Sequence, residues 1–569
     1  MKIKYSQERL HQIIDELFPN LEFRKYQKEA IVMILQAYQN DPKSNVILDA
    51  PTGTGKSIIA LVSSKVLSSQ YFKKECYILT SETYLQDQYE KSVAQFDFKA
   101  PSIKGIDRYN CTINLDKISL GDCKIKGITG QALRKLDCYS TCPYYSRRDA
   151  ASRSKIAVLN YNYWIIQQTF VNATTDHPLF TKRDATFFDE AHNIVQIVNN
   201  HFSPRITESI PKRAKTILEY YSSKNLISSK RKSELLNHVS RLVTSILAGI
   251  DNNDFGNLVE LKHTLKDILI PSDQVRGATL FGTDTQLNTE QRKCLSAVDF
   301  IKDVHCKVED YIDIIAKNVK ELLVRTEKEN EVAYFCSDES YMMEKQFHKY
   351  YNFGVFMSAT FLNHDFFVKY SNMKNVQVIK IPTTFDFSKS PIYYSKKFNM
   401  SFYKKKESRP GQAEKINEIV NKYESGIIHT GSYENANYLK DTIKNKKIKY
   451  YKNTTEKKEL IEKLSEDKNF FIAGPSLLEG LDLAGEISRC QIFMKIPFLN
   501  LGDRFTKVRF DKNKLWYAWE TSLNFVQGIG RSNRFVEDYC DTYILDSSFE
   551  RLRQAKMIPE YIENRIQII

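Results

Sequence analysis

No stretch of the sequence carries the run of about 18–20 apolar residues that a membrane-spanning helix needs, so no membrane partner is expected. The opening residues, MKIKYSQERLHQIIDELF, alternate charged and apolar positions like an amphipathic helix and have no apolar signal core. The expectation is a cytoplasmic protein, of a bacterial cell or of a host cell if viral. Internal repeats and low-complexity tails are lacking as well. Ten cysteines in 569 residues do not make a disulfide framework in a long cytosolic chain, and invite a search for metal spacing instead. Acidic charge is the scarcer sign: 69 Asp and Glu stand against 83 Lys and Arg, a formal charge of +14. That surplus suits a polyanion, most simply nucleic acid, although a lysine- and asparagine-rich composition habit gives the same sum.

What is present is the composition of a folded soluble protein, 42% hydrophobic and 27% charged, long enough for about three to four domains. The most informative stretch begins with Val46, Ile47 and Leu48, a short apolar run of the buried parallel-strand type. Ala50-Pro-Thr-Gly-Thr-Gly-Lys-Ser57 follows, and then an apolar helical pattern. Strand, glycine-bearing loop, Lys-Ser and helix make a phosphate loop. Gly53, Thr54 and Gly55 would offer backbone N–H groups to phosphates, Lys56 would reach the β- and γ-phosphates, and Ser57 would hold Mg²⁺. Ala50 stands where the usual loop has its first glycine. The loop by itself says only that an NTP binds.

Ala185-Thr-Phe-Phe-Asp-Glu-Ala-His192 is a second short apolar run, ending in Asp189-Glu190. Asp189 can hold the same Mg²⁺ as Ser57, and Glu190 can polarise an attacking water. The plain alternative is an acidic helix start. Near the other end, Gln527-Gly-Ile-Gly-Arg-Ser-Asn-Arg534 places Arg531 and Arg534 three apart, on one side of a helix. Positioned guanidiniums stabilise the spread charge of phosphoryl transfer, with solvated surface arginines as the bland reading.

Four cysteines lie together between these motifs: Cys111, Cys123, Cys138 and Cys142, spaced C-x11-C-x14-C-x3-C. Four thiolates can hold zinc tetrahedrally or an iron–sulfur cube, and the loose spacing decides neither. Unliganded thiols would leave a small insertion with little core of its own. Between the Asp-Glu motif and Phe356-Met-Ser-Ala-Thr360 the pattern is helical. Leu235, Leu236, Val239, Leu242, Val243, Ile246 and Leu247 form one stripe, and Val304, Val308, Tyr311, Ile315, Val319, Leu322 and Leu323 another.

Taken in order, these stretches resemble superfamily 2 helicases. Phe23-Arg-Lys-Tyr-Gln27 resembles the Q-type motif, whose Gln27 would read adenine. Thr80 to Gln88 resembles motif Ia, Phe356 to Thr360 motif III, Ser432-Tyr433 motif IV, Glu479-Gly-Leu-Asp482 motif V and Gln527 to Arg534 motif VI. A four-cysteine insertion between motifs Ia and II, entered through Lys104-Gly-Ile-Asp-Arg-Tyr-Asn-Cys111 and left through Cys142-Pro-Tyr-Tyr145, is similar to the iron–sulfur helicases of the XPD/DinG group, as is Val158-Leu-Asn-Tyr161 after it.

The resemblance implies an α/β fold: two RecA-like ATPase domains, with a cysteine-rich iron–sulfur insertion and a helical arch insertion in the first. The expected bounds are 1–105, 150–202 and 346–372 for ATPase domain 1, 106–149 for the iron–sulfur domain, 203–345 for the arch and 373–569 for ATPase domain 2. It also implies ATP, Mg²⁺ and a 4Fe–4S cluster as cofactors. The catalytic set would be Lys56, Asp189, Glu190, Gln527, Arg531 and Arg534. Nucleotide contacts would come from Arg24, Gln27, Gly53, Thr54, Gly55, Lys56, Ser57 and Asp482. Cys111, Cys123, Cys138 and Cys142 would hold the cluster, while Ser57 and Asp189 hold Mg²⁺. Tyr144, Tyr145, Arg147 and Arg148 suit contact with bases and phosphates, as do Lys212, Arg213, Lys215, Lys230, Arg231 and Lys232 on the arch. The expected activity is ATP-dependent DNA unwinding by a monomeric motor moving 5′ to 3′ on single-stranded DNA, with tailed or forked duplexes and R-loops as substrates. Two rivals remain: a nucleic-acid-stimulated ATPase that remodels protein–DNA complexes or R-loops without processive unwinding, and a zinc-stabilised nucleic-acid-binding module.

Overall fold

A computed structural model describes residues 4–569 except 52, 97, 122, 124–129, 172–177, 249–253, 277–288, 317–322, 329, 384–386, 476, 478–484 and 531–537. In chain order, β1 (Asn45–Asp49), β2 (Cys76–Thr80), β3 (Ser102–Ile103), β4 (Ile156–Asn160) and β5 (Ala185–Asp189) precede β6 (Arg205–Thr207), β7 (Leu323–Lys328) and β8 (Glu331–Cys336). Then come β9 (Phe353–Ser358) and β10 (Val376–Lys380). The first sheet runs β10-β1-β9-β5-β2-β4-β3, parallel throughout. Its inner strands, β1, β9, β5, β2 and β4, read as near-continuous apolar runs because both faces are covered, while the edge strand β10 is largely exposed. Along β1, Ile47 enters one core while Val46 and Leu48 enter the other, the two-residue alternation of a strand. The opening amphipathic stretch forms the helix Gln7–Leu17, capped by Ser6, with Leu10, Ile13 and Ile14 buried against the first domain.

β10 pairs with β1 from Asn45↔Val376 to Asp49↔Lys380, so the first sheet continues past the expected boundary at 372. The chain between β5 and β9 leaves this sheet. Helices Ser209–Ser223, Ser229–Ala248, Asp254–Arg276 and Thr289–Ala316 pack around one apolar core, which takes Leu235, Val239, Leu242, Val243, Ile246, Val304, Val308 and Tyr311. The second stripe departs from expectation at its end. Leu323 lies in β7, which folds back on β8 as an antiparallel pair while β6 joins β8 on its other edge. Val324 and Val332 are strand-forming residues in a run of alternating polarity, and the ladder they join overrides the helical spacing. Ile315 lies in the last helix, while Val319 and Leu322 fall outside the described residues.

The second sheet is also parallel: β11 (Ile392–Tyr394), β12 (Gly426–His429), β13 (Ile448–Tyr450), β14 (Phe471–Gly474), β15 (Cys490–Phe493), β16 (Asp541–Ile544) and β17 (Ile566–Ile568), in the order β13-β14-β12-β15-β16-β11-β17.

Two helices of the second domain join it to the first. Trp519, on Lys514–Ile529, is buried against Phe366, Phe367 and Tyr370, and its indole N–H donates to the Phe361 carbonyl at 3.0 Å. Arg509, on Arg504–Lys512, is buried in an ion pair with Glu339. It also donates to Gln196 Oε1 at 3.3 Å and to the Tyr370 hydroxyl at 2.5 Å, with its guanidinium 3.6 Å from the Trp516 ring centroid. Phe505 stacks on Phe335 of β8 at 4.6 Å. One helix thus touches the base of the helical excursion, the helix after the Asp-Glu motif and the helix after β9. Burial raises the Glu339 carboxyl above the usual carboxylate range, and Arg509 opposes that rise. Arg509→Met strands this buried carboxylate and should lower unfolding stability by about 3–5 kcal/mol. Arg509→Met combined with Glu339→Leu should recover most of that loss in the denaturant midpoint; equal losses in the single and double variants would contradict the pairing.

Candidate active site

Because β1, β9 and β5 are neighbours, their carboxyl ends lie side by side, about 4.8 Å apart in the hydrogen-bonding direction. Each end carries part of one site. The loop after β1 turns through Gly53 and Gly55 at φ of +85° and +76°, a left-handed backbone that favours glycine. A Cβ on Gly55 would also lie 2.2 Å from Gln27 Nε2. Gln27 is buried behind the loop, donating from Nε2 to the Thr54 carbonyl at 2.7 Å and accepting from the Arg24 N–H at 2.7 Å. The Arg24 guanidinium donates to the Gly53 carbonyl. The Thr54 hydroxyl donates to the Pro51 carbonyl at 2.8 Å. Lys56 opens the helix Lys56–Ser68 and donates from Nζ to the Ala50 carbonyl at 3.3 Å. The expected nucleotide residues before Ser57 are therefore gathered as a braced loop at a helix start, the backbone form of an anion site.

Asp189 closes β5 and is buried. Tyr89 donates to its Oδ2 at 3.0 Å, and the Ser57 hydroxyl is a further hydrogen-bonding neighbour of the same phenol. Tyr161 donates to the Asp189 carbonyl at 2.7 Å, and the Glu190 N–H donates to Oδ1 at 3.1 Å. Burial, and then the Glu190 charge, push the Asp189 carboxyl up, while Lys56 and Tyr89 pull it back. Ser57, Lys56 and Asp189 thus share one neighbourhood, with a buried carboxylate that a cation would stabilise. Glu190 holds φ at +53°, a left-handed backbone that residues other than glycine rarely adopt.

His192 links the parts. Its Nδ1 lies 2.8 Å from Ser358 Oγ at the end of β9 and 3.4 Å from Glu190 Oε2, and its Nε2 lies 2.7 Å from Gln527 Nε2. Burial lowers the ring's pKa, so the imidazole is neutral. The Gln527 amide nitrogen can only donate, so His192 Nε2 accepts and the proton sits on Nδ1, facing Ser358. Ser358 Oγ also accepts from the Thr360 N–H at 3.0 Å. One ring joins the Asp-Glu motif, the Ser-Ala-Thr motif and the second domain. Neither His192, Ser358 nor Tyr89 was among the expected site residues. The first two lie inside quoted motifs, but no spacing says that one imidazole meets both neighbours. Asp482, Arg531 and Arg534 lie outside the described residues.

The cysteine segment packs onto the first domain. Tyr109, Tyr139, Tyr144 and Tyr145 join its core, with Tyr139 stacked on Tyr145 at 5.3 Å and the Cys123 Sγ 4.0 Å from the Tyr145 hydroxyl. Tyr144 and Tyr145 are buried, Arg147 pairs with Glu90 at 2.6 Å, and Arg148 pairs with Asp149 at 3.3 Å beneath the Tyr145 ring. Tyr144, Tyr145 and Arg148 are thus occupied in packing, unlike the expected surface for bases and phosphates, while Arg147 is exposed and held by its pair with Glu90. None of the four cysteines is in a disulfide. The Cys138 thiol is raised by burial and then by Cys123, Cys142 and Cys111, which places the four in one electrostatic neighbourhood. Among the described residues, no three His, Cys, Asp or Glu side chains gather closely enough to hold a metal ion.

Two protein families match the chain: the helicase C-terminal domain over residues 416–565, and the res subunit of type III restriction enzymes over 20–228. No curated protein matches the sequence. Among solved structures, Xpd4 of S. tokodaii and an XPD helicase each align over 96% of this chain and 100% of their own, at 15% identity and TM-score 0.60. An apo XPD structure aligns over the same shares at 14% identity and TM-score 0.54. At such identities the likeness is one of fold.

Gln527→Ala removes the donor to His192 and leaves every contact within the first domain in place. Nucleotide turnover should fall about tenfold or more, some 1.4 kcal/mol of barrier, with nucleotide affinity nearly unchanged. Steady-state kinetics beside equilibrium nucleotide binding checks this; an affinity loss as large as the turnover loss would make Gln527 a binding residue instead.

Proposed function

We propose that this XPD-like superfamily 2 helicase, an ATP-dependent enzyme, unwinds DNA by moving along a single strand in the 5′-to-3′ direction. The observation that carries the reading is the assembly of Lys56, Asp189, Glu190 and Ser358 at three adjacent strand ends, with Gln527 of the second domain closing on them through His192. In this reading the phosphates lie against Gly53, Thr54 and Gly55 and the start of the following helix, with Lys56 at the β- and γ-phosphates. Arg24 and Gln27 contact adenine, and because both brace the loop backbone, base recognition is tied to loop conformation. Ser57 and Asp189 hold Mg²⁺, which supplies charge neutralisation on the phosphates; the buried, raised carboxyl of Asp189 fits that role. Glu190 orients the attacking water and accepts its proton. Arg531 and Arg534 approach the γ-phosphate from the second domain, with Asp482 on the same side.

Water attack breaks the bond between the γ-phosphorus and the bridging oxygen, leaving ADP and inorganic phosphate; release of that phosphate takes away the charge that bridges the two domains, and the cleft opens. The neutral His192 relays that change among Glu190, Ser358 and Gln527. Cys111, Cys123, Cys138 and Cys142 would hold a 4Fe–4S cube that braces a small domain beside the DNA path; what supports this is their number, their place between the phosphate loop and the Asp-Glu motif, and the influence of the other three on the Cys138 thiol. The same set suits zinc, and the family resemblance favours the cube. Residues 203–345 form the arch, and the motor works as a monomer on tailed or forked duplexes and R-loops.

Strand displacement tests this directly. A duplex with a 5′ tail should release its strand with ATP, and the same duplex with only a 3′ tail should not. Release from the 3′ tail alone would reverse the polarity, and hydrolysis without release from either would favour a remodelling ATPase. Lys56→Ala should abolish turnover and leave DNA binding largely intact.

Metal analysis of anaerobically purified protein should find about four iron and four sulfide per chain, with broad visible absorbance. One zinc without sulfide would replace the cluster and leave the ATPase reading standing.

A further inference from the structure

Phe402 and Tyr403 are 77% and 90% exposed, side by side in the loop after β11. Single apolar side chains at a surface are ordinary, but two adjacent aromatic rings turned almost wholly to solvent are not. The rings meet edge to face at 5.5 Å, which leaves broad π-faces open. Basic residues surround them. Lys396, Lys397, Lys404 and Lys406 are exposed on the same segment, and Lys405 Nζ lies 5.2 Å from the Phe402 ring centroid.

Of the nearby acidic side chains, Glu407 is exposed and Glu434 is already taken. Glu434 pairs with Lys405 at 2.6 Å and with Arg409 at 2.8 Å, and the Lys405 and Arg409 hydrogen bonds hold its carboxyl well below the usual range. These contacts also fix where the loop sits. They tie it to the start of the helix Tyr433–Thr442, directly after β12, where Tyr433 is 46% exposed. The loops after β11 and β12 both leave the carboxyl edge of a parallel sheet, the edge at which open α/β sheets bind ligands.

We propose that Phe402 and Tyr403, flanked by Lys404 and Lys406, form a base-stacking subsite for single-stranded nucleic acid on the second domain, continuous with Tyr433. Exposed π-faces accept any base, and the ammonium groups beside them meet the phosphates of the same strand. This subsite rests on the nucleic-acid reading above and adds to it a place where the strand is gripped by its bases. It is distinct from the nucleotide site, whose side chains lie at the ends of β1, β5 and β9.

The test is equilibrium binding of the whole chain to oligothymidylate and oligouridylate of about 15 nucleotides, and to an abasic strand of equal length. Phe402→Ala/Tyr403→Ala should weaken binding to the base-bearing strands about tenfold or more, barely alter binding to the abasic strand, and keep the salt dependence. Lys404→Ala/Lys406→Ala should instead weaken all strands and reduce the salt slope by about 1.4. Tyr403→Trp should show fluorescence quenching when a base-bearing strand binds. All four side chains are exposed, so an unchanged thermal midpoint confirms an intact fold in each variant. Weakened binding to either base-bearing strand, greater than any weakening on the abasic strand, supports the subsite. Wild-type affinity in the aromatic double variant overturns it, as does equal weakening on the abasic strand. Failure of the wild-type chain to bind any strand would instead overturn the nucleic-acid reading itself.

Discussion

The site depends on one hydrogen-bonded arrangement, the insertion of β9 between β1 and β5. Those two strands carry the phosphate loop and the Asp-Glu motif, and without a strand between them the two would stand one ladder step apart. With β9 in place, Ser358 lies between the two motifs, within reach of the imidazole that follows the carboxylates. The chain reaches β9 only after leaving β5 and building the helices Ser209–Ala316 and the β7–β8 pair. Parallel strands need a long crossover, and this protein uses the crossover to build a second body. The cysteine segment is a smaller excursion of the same kind, between β3 and β4. Both excursions end where the sheet requires, so the site can be complete whatever their surfaces have become.

The two ATPase domains meet through contacts of different chemistry. Trp519 and its aromatic neighbours supply an apolar contact that excludes water. Arg509 and Glu339 add a buried pair that fixes orientation more than it adds stability. Gln527 and His192 make a neutral hydrogen bond beside the carboxylates. A charged link there would have to be desolvated whenever the cleft closed; a neutral imidazole costs less and still has a defined donor and acceptor side. Among the described residues, the Gln527–His192 bond is the polar contact beside the carboxylates, and the apolar and ionic contacts lie farther from them.

Much of this was legible in the sequence where chemistry demands particular residues at short spacing. The loop Ala50–Ser57, the Asp189-Glu190 pair and Phe356–Thr360 were each readable because strand, turn and functional residue are contiguous, and Phe23–Gln27 because its residues are contiguous just before a helix. Tyr89 was not, since a lone buried tyrosine one residue past a motif reads as core. Arg509 was not, since its partners Glu339, Gln196 and Tyr370 are scattered along the chain and meet only in the fold. Leu323 misled because an apolar residue at helical spacing continues a stripe equally well on either side of a helix end, and only the pairing of β7 with β8 decides. Tyr144, Tyr145 and Arg148 looked like a nucleic-acid surface because composition does not reveal burial. Phe402 and Tyr403 passed unremarked within a lysine-rich loop for the same reason in reverse.

The central claim is that nucleotide chemistry at the ends of β1, β5 and β9 is coupled to a strand held elsewhere on the two domains. The most direct measurement is the rate of ATP hydrolysis by the whole chain with and without saturating single-stranded DNA, at fixed magnesium and salt. The account expects a slow basal rate that rises about tenfold or more when the strand binds, within the usual range of coupling between sites. Hydrolysis at the same rate with and without the strand would contradict it.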